Sequence, residues 1–101
     1  MQRQLVGFLG VQSVLDEATI TNIVITKDYQ GKGLAQRLWQ MALYDLKQKE
    51  VKVVFLEVRK SNTRAQYLYE ILGFEAFHTR SDYYNDPVED AIEYRLEIEQ
   101  R

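Results

Sequence analysis

Between residues 18 and 58 the hydrophobic period of this chain changes twice. "ATITNIVIT" (18–26) is rich in β-branched residues and reads as a strand. From Gly33 onward the spacing lengthens to about 3.6 residues. Ala35, Leu38, Trp39, Ala42, Leu43 and Leu46 then share one side of a helix, with Gln36, Arg37, Gln40 and Lys47 largely elsewhere. "VKVVFLEV" (51–58) follows, nearly continuous in apolar residues, as expected of a strand covered on both faces. Glu57 is the exception in that run. Strand, helix and strand in this order suggest a parallel crossover.

The flanks add strands and one more helix. "QLVGFLGVQSVL" (4–15) reads as a strand weakened by Gly7 and Gly10, antiparallel to the next across a turn at Asp16 and Glu17. "SNTRAQYLYEILGF" (61–74) reads as the second helix. Ser61 or Asn62 can cap its start, and Gly73 suits the left-handed position after its end. "FEAFHT" (74–79) is a strand, "SDYYNDP" (81–87) a loop, and "AIEYRLEI" (91–98) an alternating strand. The expected order is β-β-α-β-α-β-β, an α/β (α+β) fold with a mixed sheet flanked by helices.

With 101 residues, the chain is read as one domain over 1–101. A hydrophobic content of 46% is that of a globular chain, not a disordered one. A net charge of −2 gives no sign of nucleic-acid binding. With no Cys and one His, a metal site is not expected. No apolar run reaches membrane-spanning length, and the N-terminus lacks a signal-peptide pattern. A cytoplasmic protein is expected.

"DYQGKGLAQRL" (28–38) joins the second strand to the first helix. The first amides of a helix have no intrahelical acceptor, and the helix dipole adds partial positive charge. Glycine lets an anion approach those amides, and Lys32 and Arg37 could add charge. A tight turn with no ligand fits this stretch equally well. The phosphate-loop pattern G-x-x-x-x-G-K-[ST] is absent, and so is G-x-G-x-x-G, because Gln36 stands where the third Gly would be.

Gln30-Gly31-Lys32-Gly33-Leu34-Ala35 does match Q/R-x-x-G-x-G/A. That pattern is the pyrophosphate-binding signature of the GNAT N-acetyltransferases. With "VLDEATITNIVI", "FLEVRKSNTRAQYLYEILGF" and "DYY…EDAI", the chain resembles the bacterial ribosomal-protein-alanine N-acetyltransferase branch of that family over roughly residues 5 to 98. The resemblance implies a mostly antiparallel GNAT sheet and acetyl-CoA as co-substrate. It implies that Ile23, Val24 and Ile25 offer backbone groups to the acetyl and pantetheine portion. Gly31 to Gln36 (Lys32, Gly33, Leu34 and Ala35 between them), with Gln30, would hold the pyrophosphate. Asn62 would hydrogen-bond the cofactor, Glu57 would be the general base and Tyr69 the general acid. The family's usual first strand and first two helices have no counterpart in this sequence, so the acceptor side is expected to be incomplete or borrowed from a second copy in a homodimer.

The roles suit the chemistry. Acetyl transfer needs a deprotonated amine, an oxyanion donor and a proton for the departing thiolate. An α-amino group has a pKa of about 7.7–8.0 against about 10.4 for lysine, so a carboxylate base suits a protein N-terminus better. The expected acceptor is the N-terminal alanine of a ribosomal protein. The alternatives are a small-molecule amine, or cofactor binding without turnover. Two residue readings stay open: Glu57 could pair with Arg59 or Lys60, and Tyr69, beside Ala65 and Leu72, could be core. Tyr83, Tyr84, Asp86, Glu89 and Asp90 form an aromatic, acidic stretch that could accept a basic peptide or could simply be solvated.

Overall fold

A computed structural model of the chain describes residues 7–25 and 33–98. The elements are β1 (Gly7–Val14), β2 (Glu17–Ile25), α1 (Leu34–Gln48), β3 (Val53–Arg59), α2 (Thr63–Ile71), β4 (Glu75–Tyr84) and β5 (Glu89–Glu97). The order is the one the sequence predicts. Five strands form one sheet in the order β1-β2-β3-β5-β4, antiparallel throughout except for the β2–β3 pair. That parallel pair is bridged by α1, as the double change of period requires.

Both helices cover the same face. In β3, Val54, Leu56 and Val58 are at most 4% exposed, while Val53, Phe55, Glu57 and Arg59 alternate with them and are only half-buried. Trp39 of α1 meets Phe74 at 5.2 Å between ring centres, and Tyr69 of α2 packs on Phe74 and on Tyr94 of β5. The expectation that β3 is covered on both faces is therefore corrected. The run reads as continuous because Val53 and Phe55 are apolar, yet strand geometry still sends them to the face opposite the helices.

The helix ends show how local chemistry fixes these positions. After α2, Gly73 takes φ 99°, its N–H bonds the Glu70 carbonyl and the Phe74 N–H bonds the Tyr69 carbonyl at 3.0 Å. This left-handed cap brings Phe74 back onto the Tyr69 ring. The same pattern ends α1, where Glu50 at φ 61° replaces glycine and the Val51 N–H reaches the Leu46 carbonyl. Three boundaries differ from expectation. The β1–β2 turn is Leu15–Asp16, because Glu17 pairs with Val14 and the Asp16 carbonyl accepts the Lys52 N–H at 2.7 Å. β4 extends to Tyr84, which pairs with Glu89, so the expected loop at 81–87 shrinks to a turn after Tyr84. β5 accordingly starts earlier, at Glu89.

Candidate active site

β2 and β3 are hydrogen-bonded neighbours only from Glu17–Thr19 against Val53–Phe55. Beyond that point β2 continues to Ile25 and β3 to Arg59 without pairing to each other. The ladder between β1 and β2 also skips Thr21, since Gly10 pairs with Asn22 and Val11 with Ile20. Such a bulge bends a strand. The two parallel strands thus part toward their carboxyl ends, the position at which open α/β sheets bind ligands.

Most of the expected site residues gather at that end. Ile23, Val24 and Ile25 close β2. Gly33, at φ 73°, is the residue before α1, and Leu34, Ala35 and Gln36 form its first turn. No acidic side chain occupies that turn, so the amide end of the helix keeps its partial positive charge. Gln30, Gly31 and Lys32 lie outside the described residues. At the end of β3 the chain turns into α2, whose start faces the same way because both helices follow parallel strands. There Asn62 Oδ1 accepts the Ala65 N–H at 3.1 Å, making Asn62 the cap in preference to Ser61. Gln66 Nε2 donates to the Lys60 and Arg59 carbonyls at 2.8 and 3.3 Å and ties α2 to the end of β3.

Glu57 lies on the face opposite the helices, and the alternative pairing with Arg59 is not what the structure contains. Arg59 reaches away to the hairpin between β4 and β5. Its guanidinium is 4.2 Å from the Tyr84 ring centre, 3.3 Å from the Pro87 carbonyl and 3.9 Å from Glu89. The neighbours of Glu57 are instead Tyr83, whose hydroxyl is pushed above its ordinary pKa chiefly by its interaction with the Glu57 carboxylate, and Glu93, directly across the ladder on β5. Tyr69 is on the helix side, 7% exposed. Burial, with a smaller contribution from Tyr84, raises its pKa above 10.0, so the phenol holds its proton at neutral pH. Glu57 and Tyr69 therefore flank the end of β3 from opposite faces of the sheet.

The acidic stretch near the end of the chain is partly spent on structure. Glu89 accepts from Ser61 Oγ at 3.0 Å, and Asp90 Oδ1 accepts the Asp82 N–H at 2.9 Å. Arg80, Glu93 and the strand placement of Tyr83 were not legible in the sequence as neighbours of Glu57, because they meet it only through the register of three strands. Among the described residues, no group of His, Asp and Glu is placed to hold a metal, and no helix is long and apolar enough to cross a membrane.

The chain is similar to known proteins. The sequence profile of the Acetyltransferase (GNAT) family matches residues 2–74, and the chain belongs to that family. It is 45% identical over 84 residues to the ribosomal protein bS18-alanine N-acetyltransferase of Haemophilus influenzae, covering 83% of this chain and 57% of that protein. To the Escherichia coli protein of the same name it is 42% identical over 97 residues, covering 94% of this chain and 66% of that one. The crystal structure of the Escherichia coli enzyme superposes with a TM-score of 0.83, covering 95% of this chain and 63% of the other. A GNAT family acetyltransferase from Elizabethkingia anophelis with acetyl-CoA bound has the same fold, with a TM-score of 0.85 at 21% identity, over 94% of this chain and 70% of that one. The chain spans about three fifths of the length of these curated relatives.

Proposed function

We propose that this chain transfers an acetyl group from acetyl-CoA to a primary amine, the N-terminal alanine of a ribosomal protein, which would place the reaction in the cytoplasm. The observation that carries the reading is the position of Glu57. It is a half-buried carboxylate near the end of β3, beside the cleft where β2 and β3 part. Family membership and the named relatives support the substrate class.

Acetyl-CoA, when bound, supplies the thioester carbonyl that the amine attacks. The start of α1 at Gly33 to Gln36 would hold the pyrophosphate by its amides, with Gln30 to Lys32 leading into it, and Ile23, Val24 and Ile25 would offer backbone groups to the acetyl and pantetheine portion. Asn62 would contribute its amide N–H₂, since its oxygen already caps α2. Glu57 takes a proton from the incoming ammonium, directly or through a water, and the freed amine then forms the nitrogen–carbon bond. Tyr69 gives its phenolic proton to the sulfur as the carbon–sulfur bond breaks, and the proton shed by the acylated nitrogen restores the phenol. An aromatic wall of Tyr83 and Tyr84 would receive the acceptor peptide. The test is thiol release from acetyl-CoA by the 101-residue chain with an Ala-starting basic peptide, run beside polyamines and aminoglycosides. Release with the peptide alone supports the reading. Release only with the small amines replaces the acceptor, and cofactor binding without release removes the enzyme.

A further inference from the structure

Glu57 shares its face with a second carboxylate. Glu93 stands directly opposite on β5, an arrangement that is destabilising for like charges. From the far side, on β4, Arg80 donates through Nε to Glu93 Oε1 at 2.6 Å. The Glu93 side chain is only 13% exposed and Arg80 50%, so the bond is shielded on its carboxylate side. The Arg80 guanidinium also lies 5.4 Å from the centre of the Tyr83 ring, whose hydroxyl in turn senses the Glu57 carboxylate. Arg80 thus meets Glu57 by two routes, through Glu93 and through Tyr83.

We propose that Arg80 is a positioning residue that neutralises Glu93, so that Glu57 works beside a compensated neighbour rather than a bare carboxylate and can take the acceptor proton. This rests on the reading of Glu57 as base. The other charged and titratable groups on this face are accounted for. Arg59 is held by Tyr84, Pro87 and Glu89, and Arg95 by Glu97. From β4, Glu75 pairs in register with Arg95 and His78 with Glu93, and Tyr83 and Tyr84 complete the surroundings. Removing Arg80 leaves two facing carboxylates that compete for one proton. The upper apparent midpoint of the pair then rises, and more of the base is protonated at a given acidic pH.

The experiment compares the wild-type 101-residue chain with Arg80→Gln, Arg80→Lys, the double variant Arg80→Gln/Glu93→Gln, and Glu57→Gln. Two readouts are taken: the pH profile of kcat/KM, and carbon-13 NMR titration of the glutamate carboxylates in the cofactor-free chain. In Arg80→Gln the acid limb and the upper midpoint of the pair should both rise by about one unit. That makes kcat/KM about tenfold lower on the acid side, with rates converging at higher pH. Arg80→Lys should recover part of the shift, and the double variant should return both readouts toward wild type. Unmoved profiles and midpoints in Arg80→Gln, with Glu57→Gln inactive, overturn the proposal and leave the base assignment standing. Full turnover by Glu57→Gln overturns the base assignment and the proposal together.

Discussion

Leu56 and Glu57 are adjacent in β3 and serve the two faces of the sheet differently. Leu56, 2% exposed, belongs to a cluster with Trp39, Val54, Val58, Tyr69, Phe74 and Tyr94, on which both helices close. Glu57 faces a surface of cross-strand ion pairs and half-exposed aromatics, among them Phe55 and Phe77 at 5.9 Å. The difference separates two demands. Dense apolar packing on one face fixes the strand, and the other face is left free to hold charge where an amine could reach it. Tyr69 crosses this division, since it is a core residue with a proposed role in chemistry.

The largest expected effect breaks the packed face. Leu56→Ala should cost about 2–5 kcal/mol, lowering Tm by roughly 10 °C or more in thermal unfolding. Glu57→Gln should do the opposite: Tm close to wild type, and kcat/KM reduced about 10²-fold, near 2.7 kcal/mol of transition-state stabilisation. A Glu57→Gln chain that loses stability and keeps its rate would erase the distinction between the faces. Asn62→Ala should remove about 1 kcal/mol by leaving the Ala65 N–H uncapped, read from urea midpoints.

Tyr69→Phe should cost about 1 kcal/mol or less at neutral pH, because the ring contacts survive. Its diagnostic effect comes in alkali. The folded-state pKa of Tyr69 is raised above 10.0 by burial, so its contribution is complete below pH 10 and is lost as pH rises through the folded value. The wild-type chain should therefore lose stability above pH 10 more steeply than Tyr69→Phe. Identical alkaline unfolding curves would mean that the hydroxyl is not in the packed region, and the phenol would then belong functionally with the open face.

The helix ends show what was legible. Gly73 announces a left-handed cap because glycine alone takes that φ without a steric penalty, and it does so at 99°. Glu50 performs the same role at the end of α1 with φ 61°, and a glutamate gives no such signal. Asn62 was readable as a cap from its type and place. Leu15, at φ 56° in the first hairpin turn, was not readable, because the turn is set by the pairing of Val14 with Glu17. The strand character of Tyr83 and Tyr84 was hidden for a similar reason: β4 is irregular between Arg80 and Tyr84, and the ladder resumes only at the Tyr84–Glu89 pair.

The sequence by itself determined the element order, the amphipathic face of α1, the caps of α2 and the candidacy of Glu57, because each depends on residues within a few positions of one another. Period, helix capping and the oddity of a carboxylate in an apolar strand are local properties. Only the tertiary structure decided that both helices share one face, that β2 and β3 part beyond Thr19 and Phe55, and that Glu57 meets Glu93, Arg80 and Tyr83. Those facts arise from register between strands far apart in the chain. A one-residue slip in that register would send every side chain to the other face, and no short-range pattern records it.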